Sequence, residues 1–181
     1  MNRPQFTRSL AFKYVLIVIL PLSAMFYSQI TNTLTLLMGE QVMLETRPVD
    51  PRDILRGDYV ILDYLISDID DSLADDGKTD IYDLAGREVF VTLERDESGI
   101  GSVKSASLAR PSERLYIKGT FGSSWDRSVR YGIEAYFVPE GTGGEIEDMI
   151  NDAEVKVLAD VRVLRGHPVI KALKFVKVTD K

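Results

Sequence analysis

Two hydrophobic rhythms divide the chain. From Tyr14 to Ile30 the residues are apolar or weakly polar and carry no charge, and extension back to Ala11 makes a run of 20 residues. As a helix such a run spans roughly 30 Å, the hydrocarbon thickness of a bilayer. Lys13 lies near the end of the run, where its ammonium can snorkel to the headgroups. Pro21 is tolerable in a membrane helix, where a kink is expected. A buried core helix would need a polar stripe on its outer face, and this run has none. A cleaved signal peptide shares the basic start and apolar centre. Its only passable cleavage site, Leu22-Ser23-Ala24, would leave a mature chain beginning Met25-Phe26-Tyr27. The pattern therefore predicts a retained transmembrane helix over 11–34, preceded by a short segment 1–10 and followed by a domain over 39–181.

Beyond Thr35 the rhythm shortens to alternating runs bounded by turn residues. Segments 41–47, 58–67, 87–95, 102–110, 114–121 and 130–138 read as strands, rich in β-branched and aromatic residues. The last stretch splits at Arg165-Gly166-His167-Pro168 into the two arms of a hairpin. One helix is expected, over 143–154, with Ile146, Met149 and Ile150 on one face and acids in its first turn. The fold class is mainly β: a transmembrane helix, then an antiparallel β-barrel or sandwich-like domain with one short α-helix.

Charge gives the helix a direction. Arg3, Arg8 and Lys13 all precede or open the apolar run, no acid falls within residues 1–38, and the next basic residue is Arg47. The positive-inside rule puts the N-terminus in the cytoplasm and the domain outside. That domain holds 19 basic against 28 acidic side chains, the wrong sign for a phosphate backbone, so nucleic acid is excluded as a partner. The chain has no cysteine, which removes disulfides, thiolate metal sites and a cysteine nucleophile.

The densest chemistry lies in Val49–Tyr64, "VDPRDILRGDYVILDY". Pro51 biases Asp50 toward an extended backbone, and the Asp50 carboxylate can accept hydrogen bonds from the amides that follow. Arg52 and Asp53 then sit in a single helical turn. After Arg56, Gly57 supplies the backbone freedom that swings the chain into a strand. In that strand Val60, Leu62 and Tyr64 share one face, the better core candidate, while Tyr59, Ile61 and Asp63 share the other.

"GDYVILDY" (57–64) carries Gly57, Asp58, Tyr59, Leu62 and Tyr64 in the pattern Gly-Asp-Tyr-x-x-Leu-x-Tyr, and so resembles the GDYXXLXY protein family. "YGIEAYFVPEGTGGEIE" (131–147), with Tyr131, Gly132, Glu134, Tyr136 and Glu140, is similar to that family's second signature. The resemblance covers roughly residues 35–178. It implies a bacterial protein of the cell membrane, with an N-terminal span and an extracytoplasmic domain of unknown biochemical role. Such proteins are often encoded beside multi-pass membrane proteins, which implies a partner of that kind as well as the lipid around 11–34. The residues of interest carried over by motif are Asp50, Arg52, Asp53, Arg56, Gly57, Asp58, Tyr59, Leu62, Tyr64, Tyr131, Glu134, Tyr136 and Glu140.

Catalytic signals are weak by comparison. A type I signal peptidase, whose barrel strand "RGDYV" resembles, needs a serine near the membrane and a lysine base. Here Ser23 and Ser28 lie inside the span, and no lysine follows until Lys78. His167, the single histidine, falls in the hairpin turn, where it is expected to be exposed. Asp58, Glu134 and Glu140 could converge as paired glycosidase acids do, or could pair with Arg52 and Arg56 to stiffen the corner. The acidic segment 67–83 is simplest as a solvated loop. Calcium is its alternative, against which Ala74 occupies a would-be ligand position. The glycines of "PEGTGGE" suggest an anion nest, but Glu140 and Glu145 would repel phosphate. The expectation is a membrane-anchored structural or interaction subunit, with no cofactor, metal or catalytic residue assigned. A carboxylate-based envelope hydrolase and a sensor binding calcium or a small ligand are the alternatives.

Overall fold

The computed structural model describes residues 5–47, 59–69, 85–122, 128–137 and 155–177. Helix α1 (Gln5–Met38) runs for 34 residues with Pro21 inside it, a length of about 51 Å. From Phe12 to Met38 it is long and apolar enough to cross a membrane, and its most apolar window buries nothing against the rest of the chain. Three of its hydroxyls are satisfied within the helix: Ser23 donates to the Leu20 carbonyl, Thr31 to Tyr27 and Thr33 to Gln29, each at 2.8 Å. No free hydroxyl at these positions has to face an apolar surrounding.

Ten strands follow: β1 (Glu40–Arg47), β2 (Tyr59–Ile61), β3 (Asp63–Tyr64), β4 (Glu88–Arg95), β5 (Gly101–Ser107), β6 (Tyr116–Phe121), β7 (Val129–Arg130), β8 (Ala135–Phe137), β9 (Val155–Leu164) and β10 (His167–Lys177). They form a sheet ordered β10-β9-β1-β3, a second ordered β5-β4-β6-β7, and the pair β2-β8, every ladder antiparallel. Among the described residues the sheets do not close into a barrel. The two larger sheets share one core in a sandwich-like arrangement, drawing Val42, Leu44 and Val161 from one and Val91, Ile117 and Val129 from the other. Two backbone bonds tie them, from Met43 to the Gly99 carbonyl at 3.0 Å and from Lys118 to that of Gly166 at 2.9 Å.

The strand expected over 58–67 divides. Its first part pairs with β8 and its second with β1, and a 3-10 turn (Leu65–Ser67) ends it. Its faces are as the alternation predicts, with Val60, Leu62 and Tyr64 buried. The strand expected over 130–138 also breaks, because Gly132 takes a positive φ of 78° between β7 and β8. The hairpin turn is Arg165-Gly166, both at positive φ (52° and 84°), which matches the strand twist. The helix expected over 143–154, most of the acidic segment 67–83 and the helical turn after Asp50 lie outside the described residues.

The helix joins the sandwich without slack. Gly39 donates its amide to the Thr35 carbonyl at 2.9 Å, and β1 begins at the next residue. Thr35 is fully buried, and His167 at the start of β10 hydrogen-bonds Asn32 at 2.9 Å. A methyl group at Gly39 would press into the Thr35 carbonyl oxygen and the backbone of Val163, neither of which can rotate away. Gly39→Ala should therefore cost about 1–3 kcal/mol, read as a lower denaturation midpoint of the full chain in detergent.

Candidate functional site

Both signature segments are corners at which the chain changes sheets. The first leaves β2 at Leu62 and enters the large sheet as β3. The second leaves the other large sheet at the end of β7 and becomes β8, the partner of β2. Val60 faces Tyr136 across that ladder, and the Leu62 amide continues it by donating to the Glu134 carbonyl at 2.7 Å.

The tyrosines cross-link the corners reciprocally. Tyr64, with no exposed surface, donates its phenol to the Ile133 carbonyl at 2.8 Å. Tyr131, also buried, donates to the Ile66 carbonyl. Each corner thus receives a hydroxyl from the other at a carbonyl that no strand ladder occupies. Burial pushes both phenols well above their ordinary range, and the nearby Glu134 charge adds to this. They remain protonated donors at any pH the protein meets.

Glu134 organises the second corner from within. Its carboxylate accepts the amides of Tyr131 and Gly132, the latter at 3.0 Å. Gly132 in its left-handed conformation lets successive amides converge, and the nest holds an anion supplied by the same turn. On the first corner, Arg47 donates through Nε to Asp63 and through its terminal nitrogens to Asp68 at 2.6 Å and Asp63 at 3.4 Å. The hydrogen bonds to Asp68 and then Asp63 hold the guanidinium far above its already high pKa. This ion triad fastens the end of β1 to the first corner, half exposed and so screened by salt.

Of the residues singled out from sequence, the structure brings together Leu62, Tyr64, Tyr131, Glu134 and Tyr136. Tyr59 lies in β2 by its backbone, while Asp50, Arg52, Asp53, Arg56, Gly57, Asp58 and Glu140 lie outside the described residues. Arg47, Asp63 and the carbonyls of Ile66 and Ile133 were missed. Asp63 stands inside the motif, but its alternation with Tyr64 shows only that it points away from the core. His167 is exposed, as expected, but it begins a strand rather than lying in the turn and it contacts Asn32, with partial burial pulling its pKa down so that the ring is neutral at pH 7. Among the described residues no cluster of three or more histidines and carboxylates is placed to hold a metal ion.

The spacing of the two corners, Gly57 to Tyr64 and Tyr131 onward, is a pattern that can be compared with known proteins. The family model described as GDYXXLXY protein matches residues 21–173. The chain belongs to the GDYXXLXY family. No curated protein and no solved structure matches it. In this GDYXXLXY chain the Leu and the last Tyr of the motif have physical roles on the page: Leu62 fills the core at the sheet change, and Tyr64 locks it.

Removal of one phenol leaves a buried carbonyl unpaired. Tyr64→Phe and Tyr131→Phe should each cost about 1–2 kcal/mol in urea denaturation. The double variant should fall short of the sum, because both bonds hold one junction.

Proposed function

We propose that this protein is a single-pass membrane protein whose N-terminus is cytoplasmic and whose β-domain lies outside the cytoplasmic membrane, as a structural or interaction subunit of a membrane complex. The observation that carries the reading is the continuity of a bare apolar helix with a rigid domain. Phe12–Met38 has no protein cover over its apolar window, and one glycine separates it from β1. Basic residues precede the apolar run and none follows until Arg47, which supports the orientation.

A multi-pass protein of the same membrane is the partner we favour. The run Ala11–Ile30 fills the bilayer, so Leu37 and Met38 stand about 10 Å beyond its end. They are 76% and 69% exposed, an apolar shoulder at the domain's root that a neighbouring membrane protein would cover. A carboxylate-based hydrolase has less support, because Glu134 is held by the amides of its own turn.

The cysteine-free chain suits labelling. A cysteine at Ser98, in the exposed turn between β4 and β5, should react with a membrane-impermeant maleimide in intact cells, and one at Asn2 only after lysis. The reverse pattern would sink the orientation. A photo-crosslinking residue at Leu37 should yield an adduct with a multi-pass membrane protein, whereas one at Ser98 should not. Adducts with lipid alone at Leu37 would contradict the subunit reading.

A further inference from the structure

A cleft of about 560 Å³ lies where the helix meets the β-domain. One wall is the helix itself, at Tyr27, Ser28, Thr31 and Asn32. These are the residues at which the uncharged run gives way to polar ones. On the opposite wall are Lys118, Arg130 and Arg165, with the neutral His167 tied to Asn32 between the walls. Among the described residues no acid lines the cleft, in a chain with 28 acidic and 22 basic side chains.

From this placement we infer that the cleft binds the phosphate headgroup of an anionic phospholipid in the outer leaflet of the membrane. The inference rests on the membrane-anchor reading above. Depth is the first argument: with Ala11–Ile30 across the hydrocarbon, Tyr27 and Ser28 lie within a turn of its outer end and Thr31 and Asn32 just beyond it, at the headgroup boundary where tyrosine is favoured. Charge is the second. Arg165 is exposed and forms no ion pair among the described residues, so its fork of donors is open to a phosphate. Lys118 is paired with Glu88 at 2.5 Å, and Arg130 has a partner within the protein, so these two supply field rather than an empty hand. Chemistry of the small groups is the third. Asn32, Ser28 and Thr31 offer polar contacts of the kind a glycerol or sugar headgroup takes. A second cleft shares Arg165 and adds Arg110 and Arg114, but it also contains Glu40 and Glu113, whose carboxylates oppose most of that charge and make it a poorer anion site. A headgroup held in the first cleft would fix the rotation of the domain about its anchor. It would also offset the repulsion between an acidic domain and an anionic surface.

The test uses the full chain, reconstituted into vesicles of equal parts phosphatidylcholine and phosphatidylglycerol. Flotation after alkaline washing reads the anchor, and native mass spectrometry of the released protein reads which lipid stays bound. The expected result is retention in the vesicles with phosphatidylglycerol enriched about fivefold or more over phosphatidylcholine. Lys118→Gln with Arg165→Asn should bring the ratio close to one, asparagine being suited to the positive φ of position 165. Circular dichroism should show that variant folded, and Lys171→Gln, on an exposed cation of β10, should leave the enrichment intact. A chain washed out of the vesicles would overturn the anchor and this inference together. A chain that stays in without lipid preference would overturn this inference alone. So would enrichment that survives in the double variant. Retention of inorganic phosphate in vesicles of phosphatidylcholine alone, with no enrichment in the mixed vesicles, would assign the cleft to a soluble anion instead.

Discussion

Two buried phenols, Tyr64 and Tyr131, each donate to a backbone carbonyl in the other's segment, 69 and 65 residues away. Everything in the β-domain depends on this exchange, because each segment is where the chain leaves one sheet for another. Strand ladders cannot satisfy the backbone at such a corner, and an unpaired buried carbonyl costs about as much as a lost hydrogen bond. The tyrosines supply the missing donors and fill core volume at the same time. Through β3, β2–β8 and β7 the one junction touches all three sheets. The Glu134 turn and the Arg47 triad set the backbone on either side of it.

The same economy of joints recurs where the domain meets its helix. Gly39 allows β1 to begin one residue after α1, its amide closing the last helical turn on the Thr35 carbonyl, and Asn32 ties the helix to the β9–β10 hairpin through His167. A helix rooted this firmly transmits its orientation to the domain. In a membrane it would hold the cationic cleft at headgroup depth and the Leu37–Met38 shoulder beside any neighbour, which is what an interaction subunit needs.

Much of this was legible from hydrophobic rhythm. The uncharged run gives a helix, and the alternation in 41–47, 87–95 and 114–121 gives strands within two residues of those found. The face Val60-Leu62-Tyr64 was legible for the same reason, since period-two alternation states which side is buried. It does not state who the partner is. The segment 58–67 reads as one strand because both halves alternate, although Leu62 is where it changes sheets. The break at Gly132 was visible as a glycine, but its cause, a carboxylate two residues on that collects amides, follows from three-dimensional closure. The Tyr64–Ile133 and Tyr131–Ile66 bonds end on backbone carbonyls, which every residue has, so no local signal announces them. His167 looked like a turn residue because the true turn, Arg165-Gly166, is one place earlier, and Asn32 lies 135 residues away. The family pattern, by contrast, singled out both corners at once through the residues that build them.

The central claim is that the two corners form one cooperative unit, and native-state hydrogen exchange on the full chain in detergent tests it most directly. The Leu62 amide, bonded to the Glu134 carbonyl at 2.7 Å, and the Gly132 amide, bonded to the Glu134 carboxylate, report one corner each. The account predicts that both exchange only with global unfolding, with the same dependence on denaturant, alongside core amides of β1 and β9. Exchange of either amide through a low-energy local opening, independent of the other, would contradict it.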